Sequence, residues 1–222
     1  KGVAGIEFMA SGGQVGGVRL EHPEGTDALE IRPQQVVFAA GAGNAALRSA
    51  VGLSEEAMQR RPLHMVMVRG DLPALYGHCM DGVKTRVTIT TATDPQGRTV
   101  WQLGGQVAEN GVGLSELEGI GFARQELEAI LPGMNFDGAE WGTYRVDRAE
   151  ARMAGGRRPD GPTVREEGNT ITAWPTKLAL VPRLAQMVME RLGDPVIGAL
   201  PQEGILTDWP KPEVAMPPWE TC

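Results

Sequence analysis

Lys177 and Thr176 are the residues whose position points most directly to chemistry. They stand within ITAWPTKLALVPRLAQMVMERL, residues 171 to 192, which begins like a strand and continues with apolar residues at the spacing of one helix face. The residues of that face are Val181, Leu184, Ala185, Val188 and Leu192. The first N–H groups of a helix have no partner within it, so this junction can present backbone donors and a lysine to a ligand.

A second strand-to-helix junction is predicted between residues 36 and 52. The continuous apolar run at 36 to 40 favours a strand buried on both faces, and Asn44 is predicted to cap a short helix that ends at Gly52. The small residues from Ala39 to Gly43 leave the backbone accessible to a phosphate or a ring. Gly41, Gly43 and Ala46 also match the loose dinucleotide pattern G-x-G-x-x-A, which equally describes a tight turn that needs positive φ.

The remaining pattern is dominated by strands. Hairpins are predicted at 3 to 21 and 86 to 109, with further strands at 60 to 70 and 140 to 150 and a loop at 71 to 82. Ser115 and Glu118 form a capping box that begins a helix, and Pro132-Gly133 ends it. Its predicted apolar face consists of Leu117, Ile120, Ala123, Leu127, Ile130 and Leu131. The order predicts an α+β fold with a mixed, largely antiparallel sheet and helices packed on one side.

Composition limits the class of protein. The 222 residues are 41% hydrophobic and 22% charged, which is typical of one large or two small globular domains. A net charge of −7 disfavours nucleic acid or an anionic membrane surface as the main partner. No apolar run approaches the roughly 18 residues of a membrane span, so a cytoplasmic protein is predicted. Cys79 and Cys222 are predicted to be free thiols, and no spacing of cysteine and histidine predicts a metal site.

Three motifs in a fixed order carry a family resemblance. They are VVFAAGAG, then GGRRPDGP with Gly156, Arg158 and Pro159, then TAWPTKLALVPRLAQMVMERL. In this order the sequence resembles the later part of FAD-dependent oxidoreductases of the D-amino-acid oxidase and glycerol-3-phosphate dehydrogenase superfamily. That family holds the ADP half of FAD with an earlier strand, a G-x-G-x-x-G turn and a helix, which this sequence does not contain. We therefore expect a C-terminal fragment of such an enzyme.

The resemblance implies FAD as the cofactor and assigns both junctions to it. The implied cofactor-binding residues are Ala39, Ala40, Gly41, Gly43, Thr176, Lys177 and Leu178. A helix N-terminus near the pyrimidine side of the flavin ring stabilises the negative charge of the reduced form, and Lys177 adds a full positive charge. In the last motif the family's glycines are replaced by Trp174, Pro175 and Thr176, whereas Lys177 is retained.

The resemblance also implies a substrate site. Arg158 is expected to hold a carboxylate or phosphate by a two-pronged contact, and Arg145 is a second candidate, since Arg148 points to the other face of the same strand. The intact protein is expected to oxidise a small amine, amino acid or hydroxy acid by hydride transfer to flavin. No residue is assigned as the catalytic base, and His64 is expected to be a core histidine.

The implied organisation is discontinuous. Residues 1–35 and 60–170 are assigned to a substrate-binding region, 36–59 and 171–192 to the strand and helix elements of an α/β flavin domain, and 193–222 to a C-terminal tail. The expected partner is a small anionic substrate, and a homo-oligomer is possible.

Two alternatives from other classes stay open. The chain can be a stand-alone module that binds a small ligand or a partner without redox chemistry. It can also be an NAD-binding domain built on Gly41, Gly43 and Ala46, with Asp71 on the ribose, although the many hairpins disfavour it.

Overall fold

The computed structural model describes residues 2–25, 28–195 and 209–221. The strands are β1 (Gly5–Ser11), β2 (Gln14–Glu21), β3 (Ala28–Ile31), β4 (Val36–Phe38), β5 (Met58–Gly70), β6 (Gly77–Asp81), β7 (Lys84–Thr93), β8 (Thr99–Gly104), β9 (Glu140–Ala151), β10 (Thr163–Glu167) and β11 (Thr170–Trp174). The α-helices are α1 (Asn44–Ala50), α2 (Gln106–Asn110), α3 (Glu116–Ile130), α4 (Val181–Met189) and α5 (Pro218–Thr221). The combination confirms the α+β class.

The first sheet is the antiparallel order β1-β2-β3, whose first two strands are the predicted N-terminal hairpin. Its inner face packs on the first helix region: Val15 and Val18 of β2 share an apolar cluster with Phe38 of β4 and Val51, just after α1. Val15 and Val18 are three positions apart and would face opposite sides of a regular strand. The register of β2 against β1 shifts between Val15 and Gly17, as in a β-bulge, and this shift lets both valines be buried.

The second sheet is mixed, in the order β10-β11-β4. Strand β11 is buried at all five positions, runs antiparallel to β10 and runs parallel to β4, with Thr170 opposite Val36. The sequence predicted a turn where β10 forms, because Arg165, Glu166 and Glu167 mask its strand character. The prediction that 36 to 40 is buried on both faces is wrong within the described chain, since Val37 is 39% exposed.

The third sheet has five strands in the order β6-β7-β8-β5-β9, and the pairs β6–β7, β7–β8 and β8–β5 are antiparallel. Two local predictions are wrong here. The loop predicted at 71 to 82 contains β6, which extends the sheet beyond β7. The strand predicted to reach residue 109 stops at Gly104, and α2 follows because Val107 and Ala108 are buried in helical rather than alternating geometry.

Helix α3 covers the third sheet. Ser115 and Glu118 form the predicted capping box, and α3 ends at Ile130 before Pro132-Gly133. The buried residues of α3 are Gly119, Ala123 and Leu127, whereas Leu117, predicted on the apolar face, is 82% exposed. The first turn already contacts the sheet through Gly119, which lies against His64, so Leu117 points away from that contact.

Two units emerge from the described chain. One comprises Lys1–Arg61 and Ala149–Val214, and the other comprises Pro62–Arg148 and Ala215–Cys222. We refer to them as the parallel-strand unit, which holds β4 and β11, and the helix-covered unit, which holds α3. Strands β5 and β9 pass from one to the other. The assignment of substrate and flavin roles to sequence ranges stays a prediction, and no helix among the described residues has the length and apolarity to cross a membrane.

Candidate functional site

Both sequence-predicted junctions lie at the same end of the mixed sheet. Strands β4 and β11 are parallel neighbours, so their carboxyl ends are adjacent. A short 3-10 turn and a helix follow each strand: Gly41–Gly43 and α1 after β4, and Leu178–Leu180 and α4 after β11. Ligands of open α/β sheets bind beyond the carboxyl ends of the strands. The fold thus brings the seven predicted cofactor residues to one edge of one sheet.

Asn44 ties the two strand ends together. Its side-chain oxygen accepts a hydrogen bond from the Ala40 N–H at 2.8 Å, and its side-chain nitrogen donates to the Ala173 carbonyl at 3.1 Å. The sequence predicted Asn44 as a helix cap, which is wrong, because Asn44 is the first residue of α1 and is fully buried between the strands. An asparagine suits this place since it offers both a donor and an acceptor.

The turn after β4 leaves its backbone open. Gly41 has a φ of 57°, and a Cβ built on it would meet nothing within 4 Å. Ala39, Ala40 and Gly43 are exposed, so no large side chain shields this backbone. Positive φ explains the glycine at 41, and the open space beyond it permits the close approach of a flat or phosphorylated group.

The turn after β11 is strained. Thr176 has a φ of 58° and is the one residue other than glycine with positive φ in the described chain. The Lys177 N–H donates to the Pro175 carbonyl at 2.7 Å, which closes a γ-turn around Thr176, and the Thr176 hydroxyl donates to the same carbonyl at 2.6 Å. A β-branched residue in this region costs about 1–3 kcal/mol. The threonine therefore adopts a conformation that a glycine would adopt without strain.

Lys177 and Leu178 begin the second helical segment without a side-chain cap. Lys177 precedes the 3-10 turn, and its side chain is exposed, as is that of Leu178. Of the apolar face predicted for α4, Leu184 is buried and Val188 is half-buried, but Val181, Ala185 and Leu192 are exposed. The first N–H groups of this segment have no intrahelical acceptor, so they add partial positive charge beside Lys177.

Arg158 lies in the same unit, on a loop whose start is held by hydrogen bonds to Gln59. Gln59 of β5 donates to Glu150 Oε1 at 3.0 Å and to the Arg157 carbonyl at 2.8 Å, and it accepts from the Met153 N–H at 3.0 Å. Glu150 is 1% exposed and pairs with Arg61. Gln59 and Glu150 therefore fix the loop that carries Arg158, and the exposed position of Arg158 leaves it accessible to a ligand.

Arg145 lies in the helix-covered unit and has structural partners. Its guanidinium donates to the Val112 and Leu114 carbonyls, both at 2.7 Å, just before the start of α3. Its neighbour Arg148 pairs with Glu109 at 2.6 Å. A substrate role for Arg145 stays a prediction, and a ligand would have to share its donors with these carbonyls.

The other candidate groups do not assemble into a site in the part of the chain that is described. His64 is 2% exposed, with Nδ1 3.0 Å from the Gly111 carbonyl, as expected of a core histidine. Cys79 is a free, half-buried thiol, and Cys222 lies outside the described residues. No three histidine, cysteine or acidic side chains come together there as metal ligands.

No family model matches the chain. It is 44% identical over 221 residues to the probable FAD-dependent oxidoreductase PA4991 of Pseudomonas aeruginosa, an alignment that covers 98% of this chain and 54% of that protein. The crystal structure of PA4991 matches with a TM-score of 0.81 at 42% identity, over 99% of this chain and 59% of that chain. The chain is homologous to part of an FAD-dependent oxidoreductase. The expected resemblance to FAD-dependent oxidoreductases is thereby confirmed, and the narrower superfamily stays a prediction.

The chain spans about half the length of PA4991, the curated relative that it matches. A second structural neighbour is the glycine oxidase of Geobacillus kaustophilus, with a TM-score of 0.47 and 19% identity over 86% of this chain and 48% of that chain.

Sequence reasoning missed the polar residues that support the site. Asn44 was assigned the wrong role, and Gln59, Glu150 and the pair of Arg48 with Glu167 were not singled out. Arg48 is fully buried, donates to Glu167 at 2.6 Å and to the Thr172 hydroxyl at 3.0 Å, and thereby lowers the pKa of Glu167. Only the pairing of strands distant in sequence reveals these contacts.

Proposed function

We propose that this chain supplies the flavin-ring and substrate contacts of an FAD-dependent oxidoreductase that oxidises a small amine, amino acid or hydroxy acid. The observation that carries the proposal is the adjacent pair of strand-to-helix junctions at the ends of β4 and β11. Homology to PA4991 supports the cofactor, and the position of Arg158 supports an anionic group in the substrate.

The residues at the junctions fit such a cofactor. The open backbone at Gly41 admits a flat ring or a phosphate, and the exposed Lys177 stands at an uncapped helical N-terminus. Both features favour negative charge at this edge of the sheet. When bound, FAD supplies a centre that accepts a hydride from the substrate.

Residues of this chain stabilise charge and orient the substrate. The Lys177 ammonium and the first amides of the 3-10 turn stabilise the negative charge that develops at their ligand. The γ-turn at Thr176 fixes the backbone from which both are presented. Arg158 orients the substrate through a carboxylate or phosphate, with Gln59 holding the start of its loop. A cytoplasmic location and self-association remain predictions from the sequence.

The visible absorption spectrum with and without added FAD tests the proposal. We expect flavin to be retained by this chain when it is extended upstream in its own reading frame, with weaker or no retention by the 222 residues alone. If neither protein binds flavin, the proposal is wrong, and a module that binds a ligand without redox chemistry becomes the better explanation.

Two variants of the extended protein assign the residues. Lys177→Met should make the flavin potential more negative by on the order of 30 mV, whereas Lys84→Met, an exposed lysine of β7, should leave it unchanged. Arg158→Leu should weaken substrate binding more than flavin binding. An unchanged potential in the Lys177 variant would remove its role, and a preferential loss of flavin in the Arg158 variant would place that arginine at the cofactor.

A further inference from the structure

A cavity of about 640 Å³ lies in the parallel-strand unit, and its lining includes none of the residues of the junctions of β4 and β11. The start of β5, the end of β9 and β10 surround it. Its lining contains two arginines, Arg152 and Arg165, and one acidic residue, Glu56. In a protein with a net charge of −7, this is a local excess of positive charge.

Arg165 is the stronger of the two cationic groups. It lies on β10 opposite Thr172 and is half-buried, yet its guanidinium makes no hydrogen bond or close ion pair with any residue that the structure describes. Glu167, two positions along β10, interacts electrostatically with Arg165, but its carboxylate is held in a two-pronged contact by the buried Arg48. Partial removal of guanidinium donors from water costs free energy when no protein acceptor replaces the water. An anion bound at Arg165 would supply that acceptor.

Arg152 faces the same cavity from the end of β9. Its only ion pair within the described residues is with Glu56, at 3.4 Å, and the side chains of the pair are 56% and 83% exposed. Such a pair is screened by solvent and contributes little, so an anion in the cavity can displace Glu56 at small cost.

The opposite wall is open backbone with fixed geometry. Gly155 and Gly156 have φ values of 68° and 66°, and a Cβ at either would meet nothing within 4 Å. Gln59 holds this turn through the Met153 N–H and the Arg157 carbonyl, and the buried Glu150 holds Gln59. The wall is therefore formed before a ligand arrives, which reduces the entropy lost on binding.

We propose that this cavity is a second anion site, in which Arg165 and Arg152 bind an oxyanion against the Gly155–Gly156 turn. The ligand class is a phosphate or a carboxylate, because both match the planar donor fork of arginine. The site uses neither Arg158 nor Lys177, although its Gly155–Gly156 wall leads into the loop that carries Arg158 and shares the support of Gln59. Its test uses Arg165 and added anions without flavin, so it can succeed or fail separately from the flavin proposal.

Calorimetric titration of the chain with pyrophosphate and with malonate at low ionic strength tests the site and separates the two ligand sources. We expect at least one of them to bind, and Arg165→Met to weaken that binding by at least about tenfold. Arg152→Met should have a smaller effect, and Arg165→Lys should recover part of the affinity, since it restores the charge without the fork. Arg32→Met, which removes an exposed arginine of the same unit, is the matched control.

Pyrophosphate binding alone would assign a phosphorylated ligand, and malonate binding alone a carboxylate. Two results would overturn the proposal. One is that sodium chloride of equal ionic strength gives the same heat as the anions, and the other is that the Arg165→Met and Arg32→Met variants bind with equal affinity. The far-ultraviolet circular dichroism of each variant without anion shows whether it is folded, and if Arg165→Met is not, Arg165→Gln replaces it in the same comparison.

Discussion

The interiors of the two units differ in kind. The helix-covered unit has one large apolar cluster that joins β5, β7, β8 and α3, with Trp101, Leu103 and Leu127 completely buried. The parallel-strand unit has two smaller apolar clusters, and it buries the polar residues Asn44, Arg48, Glu150, Thr170 and Thr172, whereas the helix-covered unit buries His64 and Asp94. Apolar packing tolerates substitution of similar volume, whereas buried polar groups need their specific partners. The unit with the candidate sites is therefore the one whose structure depends more on individual hydrogen bonds.

The largest effect is expected from Trp101→Ala in the helix-covered unit. Trp101 is fully buried, stacks edge-on against Phe136 at 6.3 Å between ring centroids, and donates to the Pro73 carbonyl at 2.8 Å. The change should lower the free energy of unfolding by about 3–5 kcal/mol, measured by urea denaturation. Leu117→Ala, on the exposed side of α3, should change it by less than about 0.5 kcal/mol. Equal effects would mean that this cluster is not the main source of stability.

Arg48→Met tests the polar interior of the parallel-strand unit. It leaves the Thr172 hydroxyl, the Ser54 carbonyl and the Glu167 carboxylate without their shared donor. The expected loss is about 3 kcal/mol, the low end for a broken buried pair, because the Glu167 side chain is 37% exposed.

A second substitution separates charge from packing at Arg48. Adding Glu167→Gln to Arg48→Met should recover part of the lost stability, since no uncompensated carboxylate then remains. If the double variant is no more stable than Arg48→Met, the loss comes from the cavity and the other hydrogen bonds.

The same difference in interiors explains what the sequence could predict. The capping box of α3 and the hairpin of β1 and β2 follow from neighbouring residues, and both predictions are confirmed. Strand β10 was missed because Arg165 and Glu167 owe their places to Thr172 and Arg48, which are distant in sequence. Sequence patterns show apolar periodicity well, but they do not show which polar group meets which.

The candidate site divides in the same way. The sequence alone identified the small residues of the first junction and Lys177 of the second, because both follow predicted strands. The parallel pairing of β4 with β11 brings them to one edge of the sheet. The role of Asn44 was not visible, because an asparagine before a helical pattern is typical of a cap and its bond to Ala173 spans 129 positions. Leu117 shows the reverse error, since periodicity places a residue on a face without showing where the covered surface begins.

Acid should destabilise both units through paired carboxylates. Hydrogen bonds from Arg48 lower the pKa of Glu167, and hydrogen bonds from Arg69 and Arg98 lower that of Glu140. A carboxylate whose pKa is lower in the folded state contributes stability above its unfolded pKa, and this contribution is lost as pH falls through the folded value. Stability should therefore decrease as the pH falls below 4.5, the ordinary pKa of a glutamate side chain.

The Arg48→Met variant sharpens this comparison between units. Removing Arg48 abolishes the main cause of the lowered pKa of Glu167, so the variant should lose less stability between about pH 6 and about pH 3 than the parent does. The carboxylates near Arg69 and Arg98 should respond as before. A parallel pH dependence of unfolding in the two proteins would show that Glu167 does not contribute to acid sensitivity.

The smallest expected effect on the free energy of unfolding is at Thr176, whose backbone is strained by its positive φ. Thr176→Gly relieves the positive φ of 58° but loses the hydroxyl contact to Pro175 and adds freedom to the unfolded chain. The strain is the larger quantity, so the free energy of unfolding should rise by about 1 kcal/mol. Thr90→Gly, an exposed strand position, should instead lower it by about 0.5–1 kcal/mol. If both changes destabilise equally, the γ-turn is not strained, and the replacement of a family glycine by threonine has been neutral for stability.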